Sequence, residues 1–92
     1  MEKELLFITV IGEDKKGIVA KISMLMYEYD INIEDISQKI MGNYFVMIML
    51  VDMQDSRQSL EKVREQLDKI GEELKIKIQI QHENIFKMMH RV

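Results

Sequence analysis

Ile11-Gly12-Glu13-Asp14-Lys15-Lys16-Gly17-Ile18-Val19-Ala20-Lys21-Ile22 is the stretch on which the fold turns. An apolar run ends there in a short polar turn with two glycines, and an amphipathic pattern starts at once. Upstream, Leu5 to Ile11 is short, apolar and rich in β-branched residues, which predicts a buried strand. Downstream, Ile18, Ile22, Leu25, Met26 and Tyr29 recur at i, i+4, i+7, i+8 and i+11, which predicts a helix over Gly17 to Tyr29. A strand end, glycine-relieved backbone and a helix N-terminus thus meet at one point. Free backbone N–H groups and the helix dipole favour a small anion at such a point, without catalytic side chains.

The rest of the chain alternates in the same way. Ile31, Ile33, Ile36, Gln38 and Ile40 predict a second strand, with Glu34-Asp35 shifting the alternation as a bulge would. Gly42-Asn43 is a hairpin signal, and Tyr44 to Val51 a third strand. Leu60, Val63, Leu67, Ile70 and Leu74 place a helix over Ser56 to Leu74, with Asp55 and Gln58 as its capping box. Gly71 is carried inside that helix because Leu74 continues the stripe. Lys75 to Gln81 alternates strictly and predicts a half-exposed strand. Glu83 to His90 reads as one or two helical turns, with Ile85, Phe86 and Met89 available to pack.

The order strand, helix, strand, strand, helix, strand is the split βαβ arrangement, an α+β ferredoxin-like sandwich. Right-handed crossovers put both helices on one face of a four-stranded antiparallel sheet, with the first and third strands central. The third strand is apolar on both faces: Phe45, Met47, Met49 and Val51 one way, Tyr44, Val46, Ile48 and Leu50 the other. Two helices cover one face only. The other must meet something, and a second copy of the chain is the economical choice.

Composition narrows the function. Ninety-two residues make one domain, 1–92, at a size where association helps stability. A net charge of −3 argues against a nucleic-acid partner, whose phosphates need a basic surface. No apolar run reaches the ~20 residues of a membrane helix, and the charged start reads as no signal peptide, so a cytoplasmic location is expected. Cysteine is absent, which removes disulfides, thiolate catalysis and cysteine metal sites.

Ile8-Thr9-Val10-Ile11-Gly12-Glu13-Asp14-Lys15-Lys16-Gly17-Ile18-Val19, followed by Asp30-Ile31-Asn32-Ile33-Glu34-Asp35-Ile36, resembles the ACT domain family of small ligand-binding regulatory modules. The tail, Gln81 to Val92, resembles that of a narrower group of stand-alone bacterial and archaeal ACT proteins. The resemblance implies an amino acid or similar metabolite bound where two protomers meet. The site lies between the first loop of one and the second strand of its neighbour. Two protomers make a homo-oligomer, most simply a dimer; the chain itself carries no cofactor fingerprint and no closed metal site, so no cofactor or metal is expected. Members are usually fused to enzymes or repressors, so an enzyme partner is a further expectation. Two positions depart from the family: Lys16 stands where proline is frequent, and Asp30 where glycine is common.

The ligand-binding candidates are Gly12, Asp14, Lys16, Gly17, Ile18, Asn32 and Ile33. Each has a second reading. Asp14 either meets a ligand ammonium or caps the first helix. Gly12 and Gly17 either admit a ligand carboxylate to backbone N–H groups or only shape the turn. Asn32 presents its amide across an interface or bonds the local backbone. Lys15, Lys16 and Lys21 give the helix entrance a positive field and also read as a solvated surface. His82 and His90 are too far apart for one helical face and, with Glu83, do not read as a metal site. Met24, Met26, Met41, Met47, Met49 and Met53 follow the apolar patterns and read as core filler.

Other activities of this topology fail on residue type. An acylphosphatase needs an arginine at the helix entrance, and positions 12–22 have none. Gly12-x4-Gly17 without a following Lys-Ser/Thr is not a phosphate loop. The expected function is a non-catalytic regulatory module that senses a small molecule. The alternative is a ligand-free interaction protein that uses the apolar sheet face or a sheet edge.

Overall fold

The computed structural model describes residues 2–89. Its elements are β1 (Leu5–Glu13), α1 (Ile18–Glu28), β2 (Asn32–Met41), β3 (Tyr44–Asp52), α2 (Leu60–Leu74), β4 (Lys77–His82) and α3 (Glu83–Met89). The strands form one antiparallel sheet in the order β2-β3-β1-β4. This is the ferredoxin-like βαββαβ sandwich, with the central and edge strands where the sequence puts them.

The core lies between the sheet and the two long helices. Leu6, Ile8 and Val10 of β1 and Phe45, Met47, Met49 and Val51 of β3 are buried, as are Ile78 and Ile80 of β4. They pack on Ile18, Ile22, Leu25 and Met26 of α1 and Val63 and Leu67 of α2. No polar side chain is buried among the described residues. The shortest principal dimension is 19 Å, close to one sheet and one helix layer at about 10 Å each. Nothing among the described elements therefore covers β3 on its second face: Tyr44 and Ile48 are exposed, and Val46 and Leu50 half-buried.

The β2 bulge is where the alternation breaks. Ile33 pairs with Val51 and Asp35 with Leu50, so Glu34 is the extra residue. Gly42 and Asn43 make a two-residue turn, with Gly42 at φ 63°. Asp30 closes α1 at φ 56°, the left-handed conformation that a short polar side chain tolerates.

Several boundaries differ from the sequence reading. β1 runs on to Glu13, because Gly12 and Glu13 keep pairing with Phe45 and Tyr44. Ile31 is buried but precedes β2. α2 starts at Leu60 and not at Ser56. Its N-cap is Ser59, whose hydroxyl accepts the Lys62 N–H at 3.1 Å, so Asp55 and Gln58 do not form the cap. Gly71 does sit inside α2, and Lys75 ends the helix in the left-handed conformation, which delays β4 to Lys77. Met26, Met47, Met49 and Met53 are core residues, but Met24 and Met41 are more than half exposed. Ile85 of α3 is also exposed. His90 and Arg91 lie outside the described residues, as do the side chains of Phe86 and Met89.

Candidate functional site

The turn between β1 and α1 spans residues 14–17. Gly17 is the N-cap of α1, at φ 90°, and its carbonyl accepts the Lys21 N–H at 2.9 Å. No side chain caps this helix. Asp14 is therefore not its N-cap: the chain needs a left-handed residue immediately before Ile18, and only Gly17 supplies that without a Cβ penalty. Asp14 is exposed, and its backbone N–H donates to Asn43 O at 2.9 Å. It lines a small polar cavity of about 360 Å³ with Glu13, Gly42 and Asn43. Lys16 is exposed, and Ile18 is a core residue.

Gly12 has a packing cause. A Cβ built there would lie 2.7 Å from Ile76 Cγ2. Gly17 is the opposite case, with nothing within 4 Å of a built Cβ, so its glycine answers to conformation and leaves open space. Two lysines of the turn region are tied down. Lys15 donates to Leu74 O at the C-terminal end of α2, and Lys21 pairs with Glu73. The basic field at the helix entrance is partly spent on α2.

Asn32 and Ile33 lie elsewhere. Asn32 pairs with Asp52, which pairs with Leu5, so it belongs to the end of the sheet where β1 begins. The 14–17 turn belongs to the end where β1 stops. A nine-residue strand separates them by on the order of 25 Å. Ile33 packs against the core and Asn32 is exposed. The Asn32 side-chain amide donates to the Glu34 carboxylate and not to local backbone. Glu34 also accepts from Lys3. The Lys3 hydrogen bond, followed by that of Asn32, holds the Glu34 carboxyl below its usual range, and the same contact raises the Lys3 ammonium above its own.

A larger cavity, about 420 Å³, is at neither place. It is a groove along β4, between α2 and α3, with Leu60, Leu67, Ile78 and Ile80 in its walls and Arg64 and His82 among its polar groups. Periodicity reads its residues as core and edge, and nothing in the sequence marks the groove. No group of three or more His, Asp or Glu among the described residues is placed to hold a metal ion.

This topology, with a glycine-capped turn before α1, matches known proteins. The family model described as the ACT domain matches residues 4–81. The chain belongs to the ACT domain family. Its relatives include UPF0237 proteins of Methanopyrus kandleri, 49% identical, and Clostridium acetobutylicum, 53% identical. Both matches cover 92% of this chain, and 94% and 96% of the relatives. Among solved structures, an ACT domain protein from Streptococcus pneumoniae superposes with a TM-score of 0.79 at 38% identity. That superposition covers 94% of this chain and 97% of the other. ACT domains are regulatory modules that bind small molecules, and this one is of a size with its bacterial and archaeal relatives.

Proposed function

We propose that this ACT domain binds a small metabolite, an amino acid by preference, between two copies of the chain and acts as a regulatory module without catalysis. The observation that carries the reading is the separation of the candidate residues. The 14–17 turn and Asn32-Ile33 stand at opposite ends of one sheet, so a single copy cannot bring them to one ligand. Two copies related by a two-fold axis can, twice over. On this reading the ligand carboxylate lies at the N-terminus of α1, which no side chain caps, near Gly17 and Ile18, with Gly12, Asp14 and Lys16 around it. The ammonium group looks to Asp14 or to Asn32 and Ile33 of the second copy. An enzyme regulated by this module is a further partner on the same reading.

A thermal-shift screen against the twenty amino acids tests it. A ligand at a hundred times its Kd adds about 2.7 kcal/mol to the stability of the folded state. In a domain of this size that is a rise of roughly 10–20 °C in Tm. Calorimetry with Asn32→Ala, an exposed site where folding is undisturbed, should then lose most of the affinity. If no amino acid shifts the transition, the ligand class is wrong.

The open face of β3 favours a second reading. Ile11, Tyr44, Val46, Ile48 and Leu50 make an apolar stripe there, and such a stripe suits a protein partner with no ligand at all. An interaction module of this kind gives no thermal shift with any metabolite.

A further inference from the structure

α2 lies tight on the approach to β4 and stands away from its end. At Gly71 a built Cβ would lie 2.9 Å from Ile76 O, so helix and chain touch there. Back along the helix, hollows of about 310 and 420 Å³ follow one another between α2 and β4. They share Leu67, Asp68 and Ile78, so they form one groove, wider toward the end of β4.

Its charged groups are not spread evenly. Arg64 and His82, both half-buried, stand at the wide end. Arg64 Nη2 donates to the Ile80 carbonyl at 3.2 Å. Its Nη1 lies 3.4 and 3.5 Å from the carboxylate oxygens of Glu61, whose side chain is 82% exposed. A guanidinium has five N–H donors. These contacts leave it donors to spare, and a solvated partner neutralises little of its charge. His82 Nδ1 accepts the Asn84 N–H at 3.3 Å. A nitrogen that accepts carries no proton, so the neutral ring holds its proton on Nε2 and has a donor left. The wide end thus offers donors and a positive charge. Asp68, four residues on from Arg64 and one turn along the same helix face, sets a negative charge further down the groove.

We propose that this groove is a binding site, made within one copy of the chain, for a monocarboxylate with an apolar tail. The carboxylate sits at Arg64 and His82, where the guanidinium fork matches its two oxygens. The tail runs over Leu67 and Ile78 toward Gly71. Asp68 repels a second carboxylate there, so a dicarboxylate of the same length is rejected. A hollow of about 420 Å³ with apolar walls and a few convergent polar groups is of a size for a small molecule. A peptide strand added to β4 suits the groove less, because β4 has six residues and its Ile80 carbonyl is already taken by Arg64.

The site is separate from the one proposed above. Its wide end is level with Leu6, which pairs with His82, whereas the 14–17 turn follows the other end of β1. Asn32 and Ile33 are on β2, at the opposite edge of the sheet.

Octanoate is the probe, with octan-1-ol and suberate as controls. In amide NMR titrations of the native protein, octanoate should shift Arg64, Ile78, Ile80 and His82 saturably. Each control should bind about tenfold more weakly, since octan-1-ol lacks the charge-assisted hydrogen bonds and suberate meets Asp68. Arg64→Met keeps an apolar stem and removes the guanidinium. It should lose about tenfold in octanoate affinity and leave octan-1-ol binding unchanged. The comparison of the three probes on the native protein decides the matter even where Arg64→Met does not fold. Shifts that fail to saturate or that centre on Gly17 or Asn32, a control that binds as tightly as octanoate, or a folded Arg64→Met with native octanoate affinity each overturn the site. None of these outcomes touches the shared amino-acid site, whose ligand would shift Gly17 and Asn32.

Discussion

Ile76 is wedged against Gly12: a Cβ added to the glycine would lie 2.7 Å from Ile76 Cγ2, 3.0 Å from its Cβ and 3.1 Å from its Cα. Gly71 closes on the same residue from α2, where an added Cβ would lie 2.9 Å from Ile76 O. The end of β1, the end of α2 and the approach to β4 are locked together by two missing side chains around one isoleucine. Gly12→Ala should destabilise the fold by about 1–3 kcal/mol through overpacking. Because backbone as well as side chain is close, Ile76→Ala should rescue only part of that loss. Urea unfolding of the two single variants and the double variant measures the coupling, and strict additivity would sink the proposed contact.

Gly17 makes a different prediction, because its surroundings are empty and its φ is 90°. A left-handed conformation costs an ordinary residue roughly 1–2 kcal/mol. Gly17→Val should lose at least that much stability, and Gly17→Asn clearly less. Thermal melts of the two variants decide between strain and crowding: crowding would penalise both alike.

Ser59, and not Asp55, holds the start of α2. Ser59→Ala should cost about 1 kcal/mol, within the usual 0.5–2 kcal/mol for a lost cap. Asp55→Ala, at an exposed position, should stay within about 0.5 kcal/mol of the native protein. Equal losses at the two sites, read from denaturant midpoints at constant slope, would contradict the cap assignment.

The Lys3–Glu34–Asn32 cluster sets a pH dependence at the start of β2. The Glu34 carboxyl is lowered by its bond from Lys3 and then by that from Asn32, so the contact is complete above the ordinary glutamate range. Its contribution is lost as pH falls through the lowered value. For Lys3, whose ammonium is raised, the contribution is present below the ordinary lysine value and lost as pH rises through the raised one. Lys3 is exposed and Glu34 half-buried at the surface, so a local signal is expected with little change in global stability. NMR titration of the Glu34 carboxyl should give a midpoint below that of a model glutamate. In Lys3→Met that midpoint should move back up.

Ile48 is 38% exposed at the middle of the open face, between Thr9 of β1 and Ser37 of β2. Ile48→Lys should leave the fold intact, because a lysine stem lies over the sheet with its charge in water. Any association through the open face should be lost. Sedimentation velocity should show a folded protein in a smaller assembly than the native one; an unchanged assembly would place the main contact away from the open face.

The apolar periodicities of Ile18 to Tyr29, Leu60 to Leu74 and Tyr44 to Val51 identified the elements, because burying one face of a helix or strand demands a fixed spacing that is written locally. The break at Glu34-Asp35 announced the bulge for the same reason. Caps were less legible. Asp14 and Asp55 have the right chemistry, but a cap also needs the right backbone, and the first helical residue is set by where the incoming strand stops. β1 runs two residues past Ile11 because β3 continues to pair with it. The cap position then falls to Gly17, the residue of this turn with a positive φ, and not to Asp14.

By itself the sequence determined the element order, the strand order and the family, and it marked the 14–17 turn and Asn32-Ile33 as one candidate site. Only the tertiary structure decided that these lie at opposite ends of the sheet, that Gly12 makes room for Ile76, and that Ile36 and Ile40 stay in solvent although their pattern is that of a core strand. The physical reason is the same in each case. Periodicity says which side of an element is apolar. What covers that side depends on neighbours far along the chain, or on another copy of it.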